Sequence, residues 1–195
     1  MPHPVFSLTA PSEGGDRIGV NGRYMTEILR IGLLEFAQYV SHLLVCLGNI
    51  CRSPTGEAVF HEAVARHGLA SMLEVDSAAI GRSHVKEKPD RRAIACALNR
   101  GYRHIEHIRA RQISEQDFEA FDLILAMDDS VLRALQRQCP PEAQHKLDLF
   151  LRFAGHEGAA EVPDPYYGNA EGFTRVLDLC ERGVSGILQK LNLPA

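Results

Sequence analysis

From residue 42 onward, short apolar runs alternate with stretches of helical period, and this alternation restricts the fold more than any other feature of the chain. "HLLVCL", "LEVDSAA", "FDLILAMD" and the weaker "KLDLFL" read as strands. Between them lie helices with their own punctuation. In "SPTGEAVFHEAVARHG", Ser53 is placed for an N-cap, Pro54 for the first helical position and Gly68 for the end. "PDRRAIACALNRGY" closes at Gly101, and "DSVLRALQRQC" offers Asp128 or Asp129 as N-cap. "FTRVLDLCERGVSGILQKL" is a closing amphipathic helix. Strand–helix order of this kind predicts an α/β single domain, a four-stranded parallel sheet with helices on both faces. The chain's 195 residues are enough for such a domain and its core.

Residues 1–41 stand apart. "MPHPVFSLTAPSEGGDRIGVNG" is rich in Pro, Gly and Ser without apolar period and reads as a flexible leader. In "MTEILRIGLLEFAQYV", Leu29, Leu33, Phe36 and Val40 recur at helical spacing, a short amphipathic helix that packs on the domain or on a partner subunit. Arg30, Glu35 and Gln38 interrupt it too soon for a membrane span, and no secretory cleavage pattern is present. The organisation is therefore an N-terminal extension, 1–41, and a domain, 42–195.

The formal net charge of -4 provides no basic field for nucleic acid, so an anionic ligand needs a local positive site. Five cysteines, odd in number and scattered, point to a reducing cytoplasm rather than a disulfide framework. Neither they nor the nine histidines have zinc spacing, so no metal is expected.

One strand-to-helix junction carries chemistry: Cys46-Leu47-Gly48-Asn49-Ile50-Cys51-Arg52-Ser53-Pro54. Parallel sheets put their sites in such loops, beyond the carboxyl ends of strands. Backbone N–H groups entering a helix converge on an anion, and a thiol beside them ionises more readily. Arg52 can turn its planar fork over the same point, while Gly48 and Asn49 tolerate the tight backbone. The Ser53 hydroxyl can serve a thiolate or a leaving group. The whole is a cradle for a tetrahedral dianion with a nucleophile at its base.

These residues, with Asp164-Pro165-Tyr166-Tyr167-Gly168 downstream, resemble the low-molecular-weight protein tyrosine phosphatases, whose pattern is Cys-x5-Arg-Ser followed late in the chain by Asp-Pro. "DSAAIG", "ARQIS" and the final helix extend the likeness over about residues 42–192. The resemblance implies a metal- and cofactor-independent phosphatase of phosphotyrosine proteins or small aryl phosphates, working through a phosphocysteine. Cys46 is then the nucleophile, Arg52 the oxyanion clamp and Asp164 the general acid and base. Leu47, Gly48, Asn49, Ile50, Cys51 and Ser53 surround the phosphate, and Tyr166 and Tyr167 line the entrance. Ser77 and Asp128 support the loop. Cys51 either packs the loop or forms a protective disulfide with Cys46.

Some positions depart from the family pattern. Ser83 stands where relatives often carry an aromatic residue, Arg91 replaces a common proline, and Gly56 replaces an alanine. An arsenate reductase on the same loop is the alternative, although 118–125, where thioredoxin-coupled reductases resemble one another in carrying cysteines, has none. His107 reads as a partly exposed loop histidine. Arg100, Arg103, Arg109 and Arg111 read as a solvated face, and Cys96, Cys139 and Cys180 as packing thiols.

Overall fold

A computed structural model describes residues 40–193 except 157 and 159. The extension lies outside the described residues, apart from Val40 and Ser41, which open the first strand, so Val40 does not close a helix. The expected sheet is present: β1 (Val40–Cys46), β2 (Leu73–Ala79), β3 (Leu123–Ala126) and β4 (Leu147–Leu149), all parallel, in the order β2-β1-β3-β4. Among the described residues six α-helices accompany them: α1 (Arg52–Arg66), α2 (Arg91–Asn99), α3 (Glu115–Ala120), α4 (Asp129–Gln138), α5 (Phe150–Phe153) and α6 (Ala170–Lys190).

The period of two along β1 explains why both faces are covered. Leu44 and Cys46 face a core shared with Val176, Leu177 and Cys180 of α6, whereas Leu43 and Val45 face Phe118 of α3 and Leu132 and Leu135 of α4. β1 is central, flanked by β2 and β3, so its carboxyl end lies where the connections diverge to opposite edges of the sheet.

Several element boundaries differ from the sequence reading. α1 begins at Arg52 with Cys51 as N-cap, so Ser53 is not the cap. β4 stops at Leu149, and Phe150 and Leu151 belong to α5. α6 starts at Ala170, with the Asn169 side chain accepting from the Gly172 N–H. α3 is additional, entered through a reciprocal capping box between Ser114 and Asp117.

Candidate active site

Cys46 is the last residue of β1 and is 2% exposed. Two donors converge on its sulfur: the Asn49 N–H at 3.2 Å and the Ser53 hydroxyl at 3.1 Å. Both stabilise negative charge on Sγ. The turn depends on Asn49, whose φ of 53° is left-handed, a conformation Asn adopts at lower cost than other residues bearing a Cβ. The Asn49 amide donates to the Ser53 hydroxyl at 2.9 Å and to the Ser77 hydroxyl at 2.7 Å, and its oxygen accepts from the Arg111 N–H at 3.0 Å. No side chain caps α1 and no acid occupies its first turn, which leaves its N-terminal field available to an anion.

Arg52, buried at 3% exposure, divides its fork between two carboxylates and one carbonyl. Nη1 pairs with Asp128 and donates to the Val162 carbonyl at 3.2 Å; Nη2 donates to Asp164 at 2.9 Å. Burial opposes the guanidinium charge, but Cys46, Asp128 and Asp164 together raise its pKa above the ordinary value. Asp128 settles the choice of cap for α4: its Oδ1 accepts from the Val131 N–H at 2.8 Å. Burial acts to raise its pKa, yet Ser130, that N–H and Arg52 outweigh burial and hold it below the ordinary carboxylate value. Asp164 reaches the same guanidinium from the long loop before α6, steadied by the Tyr166 N–H at 3.1 Å. Arg92 grips this loop from α2 by donating to the carbonyls of Tyr166 at 3.0 Å and Gly168 at 3.3 Å.

The remaining residues named from sequence fall around this centre. Leu47 is exposed at the rim, Ile50 and Cys51 are buried, and Gly48 lies so close to His84 that an added Cβ would sit 3.2 Å from its ring. Cys51 and Cys46 are both free thiols. Burial first, then the charges of Asp90, Cys46 and Asp164, push the Cys51 pKa up to about 12. Tyr166 borders the cleft beside Ile50, whereas Tyr167 is 98% exposed and meets Tyr166 edge-on.

Sequence reasoning missed the support behind the loop. The Ser77 hydroxyl donates to the buried Glu57 at 2.5 Å, and Glu57 is bonded to His104 at 3.1 Å, which stacks on His61. His104, rather than the exposed His107, is the histidine tied to the network. Ser53, Glu57 and His61 do share a helix face at four-residue spacing, but Thr55, Glu62 and Arg66 make the same helix polar elsewhere, so the row carried no distinctive signal. The arginine cluster does not form one solvated face. Arg111 pairs with Asp76 and both oxygens of Asp117, and Arg100 pairs with Asp178 and Glu181 on α6.

Residues 41–194 match the family model described as low molecular weight phosphotyrosine protein phosphatase. A low molecular weight phosphotyrosine protein phosphatase of Schizosaccharomyces pombe is 43% identical, covering 67% of this chain and 83% of its own. One from Sus scrofa is 39% identical, covering 77% and 95%. Among solved structures, a protein tyrosine phosphatase from Entamoeba histolytica superimposes with a TM-score of 0.74 at 36% identity, covering 78% of this chain and 97% of that one.

Proposed function

Since the chain belongs to the low molecular weight phosphotyrosine protein phosphatase family, and is thereby a phosphatase, we propose that it hydrolyses phosphotyrosine monoesters through a phosphocysteine intermediate. The observation that carries the reading is the meeting of two groups of one loop with an acid more than a hundred residues downstream. Cys46 sits under two donors, Arg52 rises from the helix behind it, and Asp164 is held against Arg52 at 2.9 Å. An inert buried thiol requires neither the cation nor the acid.

In the first step the Cys46 sulfur attacks phosphorus in line, forming an S–P bond as the aryl P–O bond breaks. Asp164 gives its proton to the departing phenolate oxygen. Arg52 and the first-turn amides of α1 hold the equatorial oxygens as their charge redistributes. In the second step Asp164 takes a proton from water, the water oxygen bonds to phosphorus, and the S–P bond breaks to release phosphate and the thiolate. Asn49, Ser53, Ser77 and Asp128 keep the loop and the guanidinium in place throughout. A reducing compartment, the cytoplasm, suits an enzyme whose nucleophile is a thiol.

The test is hydrolysis of an aryl phosphate by the protein and by Asp164→Ala. Turnover by the protein is expected, with kcat lowered about 10²- to 10⁴-fold in the variant. Equal rates would make Asp164 a turn residue. Reduction of arsenate with an added thiol, without phosphate turnover, would move the chain to the redox chemistry of the same loop.

A further inference from the structure

Beside the phosphate loop runs a cleft of about 440 Å³, joined to it by Ile50 and bordered by His84 and Tyr166. Its other walls include Glu87, Lys88, Asp90 and Arg91. We propose that this cleft receives an acidic side chain next to the phosphotyrosine of a protein substrate, and that Lys88 and Arg91 hold it. The proposal rests on the phosphatase reading above and adds to it a preference for acidic peptide sequence.

The argument begins with charge. The cleft contains two acids and two bases, but the acids are already engaged. Glu87 is bonded to the His84 ring at 2.8 Å. Asp90 caps α2 through the Arg92 N–H at 2.8 Å and pairs with the Arg92 guanidinium at 2.9 Å. Arg92 offsets Asp90, and among the described residues Lys88 and Arg91 have no ion pair, so the cleft sets two cations against the single carboxylate of Glu87 and is net positive. The chain as a whole carries -4, so these two charges are a local feature and not part of a general basic field.

The cleft is also built rather than incidental. The segment that bears the two cations is tied to the phosphate loop by backbone bonds: Ile80 N–H to the Cys46 carbonyl at 3.0 Å, Gly81 N–H to Leu47 at 2.9 Å and Asp90 N–H to Ile50 at 2.8 Å. Lys86 holds a left-handed φ of 73° while its N–H donates to the Ala110 carbonyl at 2.6 Å, and Ala110 returns an N–H to Glu87 at 2.9 Å. Lys88 and Arg91 are therefore carried at a fixed offset from Cys46, which lowers the ordering cost of binding a peptide across the mouth.

Two matched phosphotyrosine peptides test this, one with glutamate and one with glutamine at the two positions on each side of the phosphotyrosine. The protein should favour the glutamate peptide in kcat/KM by about three- to tenfold at low salt, the effect of two exposed charge pairs. The preference should fade at about 1 M salt, where screening shortens to about 3 Å. The double variant Lys88→Glu, Arg91→Glu should reverse it. Equal kcat/KM for the two peptides at low salt would overturn the proposal, and so would a preference that survives the double variant. The salt dependence needs no variant and so stands even if the substitutions disturb the fold. Equal turnover of both peptides removes the cleft's role alone, whereas no turnover of either peptide or of an aryl phosphate removes the phosphatase reading and the cleft with it.

Discussion

Asn49 does two jobs at one position. Its backbone holds a positive φ that sets the turn, and its side chain ties Ser53, Ser77 and the Arg111 N–H together. Asn49→Ala keeps the strain and loses three hydrogen bonds, about 2–3 kcal/mol of support for the loop, which should lower kcat/KM on an aryl phosphate about 30- to 100-fold. Asn49→Gly relieves the strain but not the lost bonds. If the side chain dominates, glycine fails to rescue; recovery with glycine would show that only the backbone conformation matters. The residue types in this loop were legible from the sequence because they lie next to one another and their chemistry is local. Glu57 and His104 were not, because a buried carboxylate acquires meaning only from partners on other elements. Only the fold brings Ser77 of β2 and His104 of a distant turn to one helix face.

Elements show the same limit in their packing. The strand-helix order could be read from period alone, but the run "KLDLFL" fits a strand and a buried helix equally well, and the change to α5 at Phe150 is decided by tertiary contacts. That short helix packs so close to α6 that a Cβ added to Gly183 would lie 2.3 Å from the Phe150 ring. Gly183→Ala must displace a buried aromatic ring, so it should lose about 3 kcal/mol despite alanine's better helix propensity. A shift of the denaturant midpoint at unchanged slope measures this, and a stabilised variant would show that the two helices can separate without cost. A second contact between elements concerns catalysis. Arg92 of α2 holds the carbonyls that follow Asp164 and lies over the Phe173 ring of α6 at 4.4 Å. Arg92→Ala should loosen the acid and lower kcat about three- to tenfold with KM little changed. A change confined to KM would assign Arg92 to substrate contact instead.

For the molecule as a whole, activity and stability should respond to acid in opposite directions. The proposed reaction consumes a proton carried by Asp164 in its first step, so a higher proton concentration should favour it. His42, in the middle of the central strand, works against that condition. It is fully buried beside the Phe60 ring, and neither ring nitrogen has a hydrogen bond of good geometry. Burial lowers its pKa to about 4, against the opposing pull of Asp122 and of nearby Glu74 and Val40 backbone groups. The unfolded chain therefore binds this proton at higher pH than the folded one. Stability from a neutral His42 is complete above about pH 6.5 and is lost as pH falls toward 4, roughly 3 kcal/mol over the window and about 2 by pH 5. Asp90, Asp117 and Asp128, whose pKa values are depressed, contribute stability that is lost only below the ordinary carboxylate value, so the two effects separate on the pH axis. Urea unfolding from pH 7 to pH 5 should show this decline in the natural protein and a flatter profile in His42→Leu. Superimposable profiles would mean that the acid sensitivity arises elsewhere. A flatter profile would show that a single buried imidazole sets how far the enzyme can follow its own chemistry into acid.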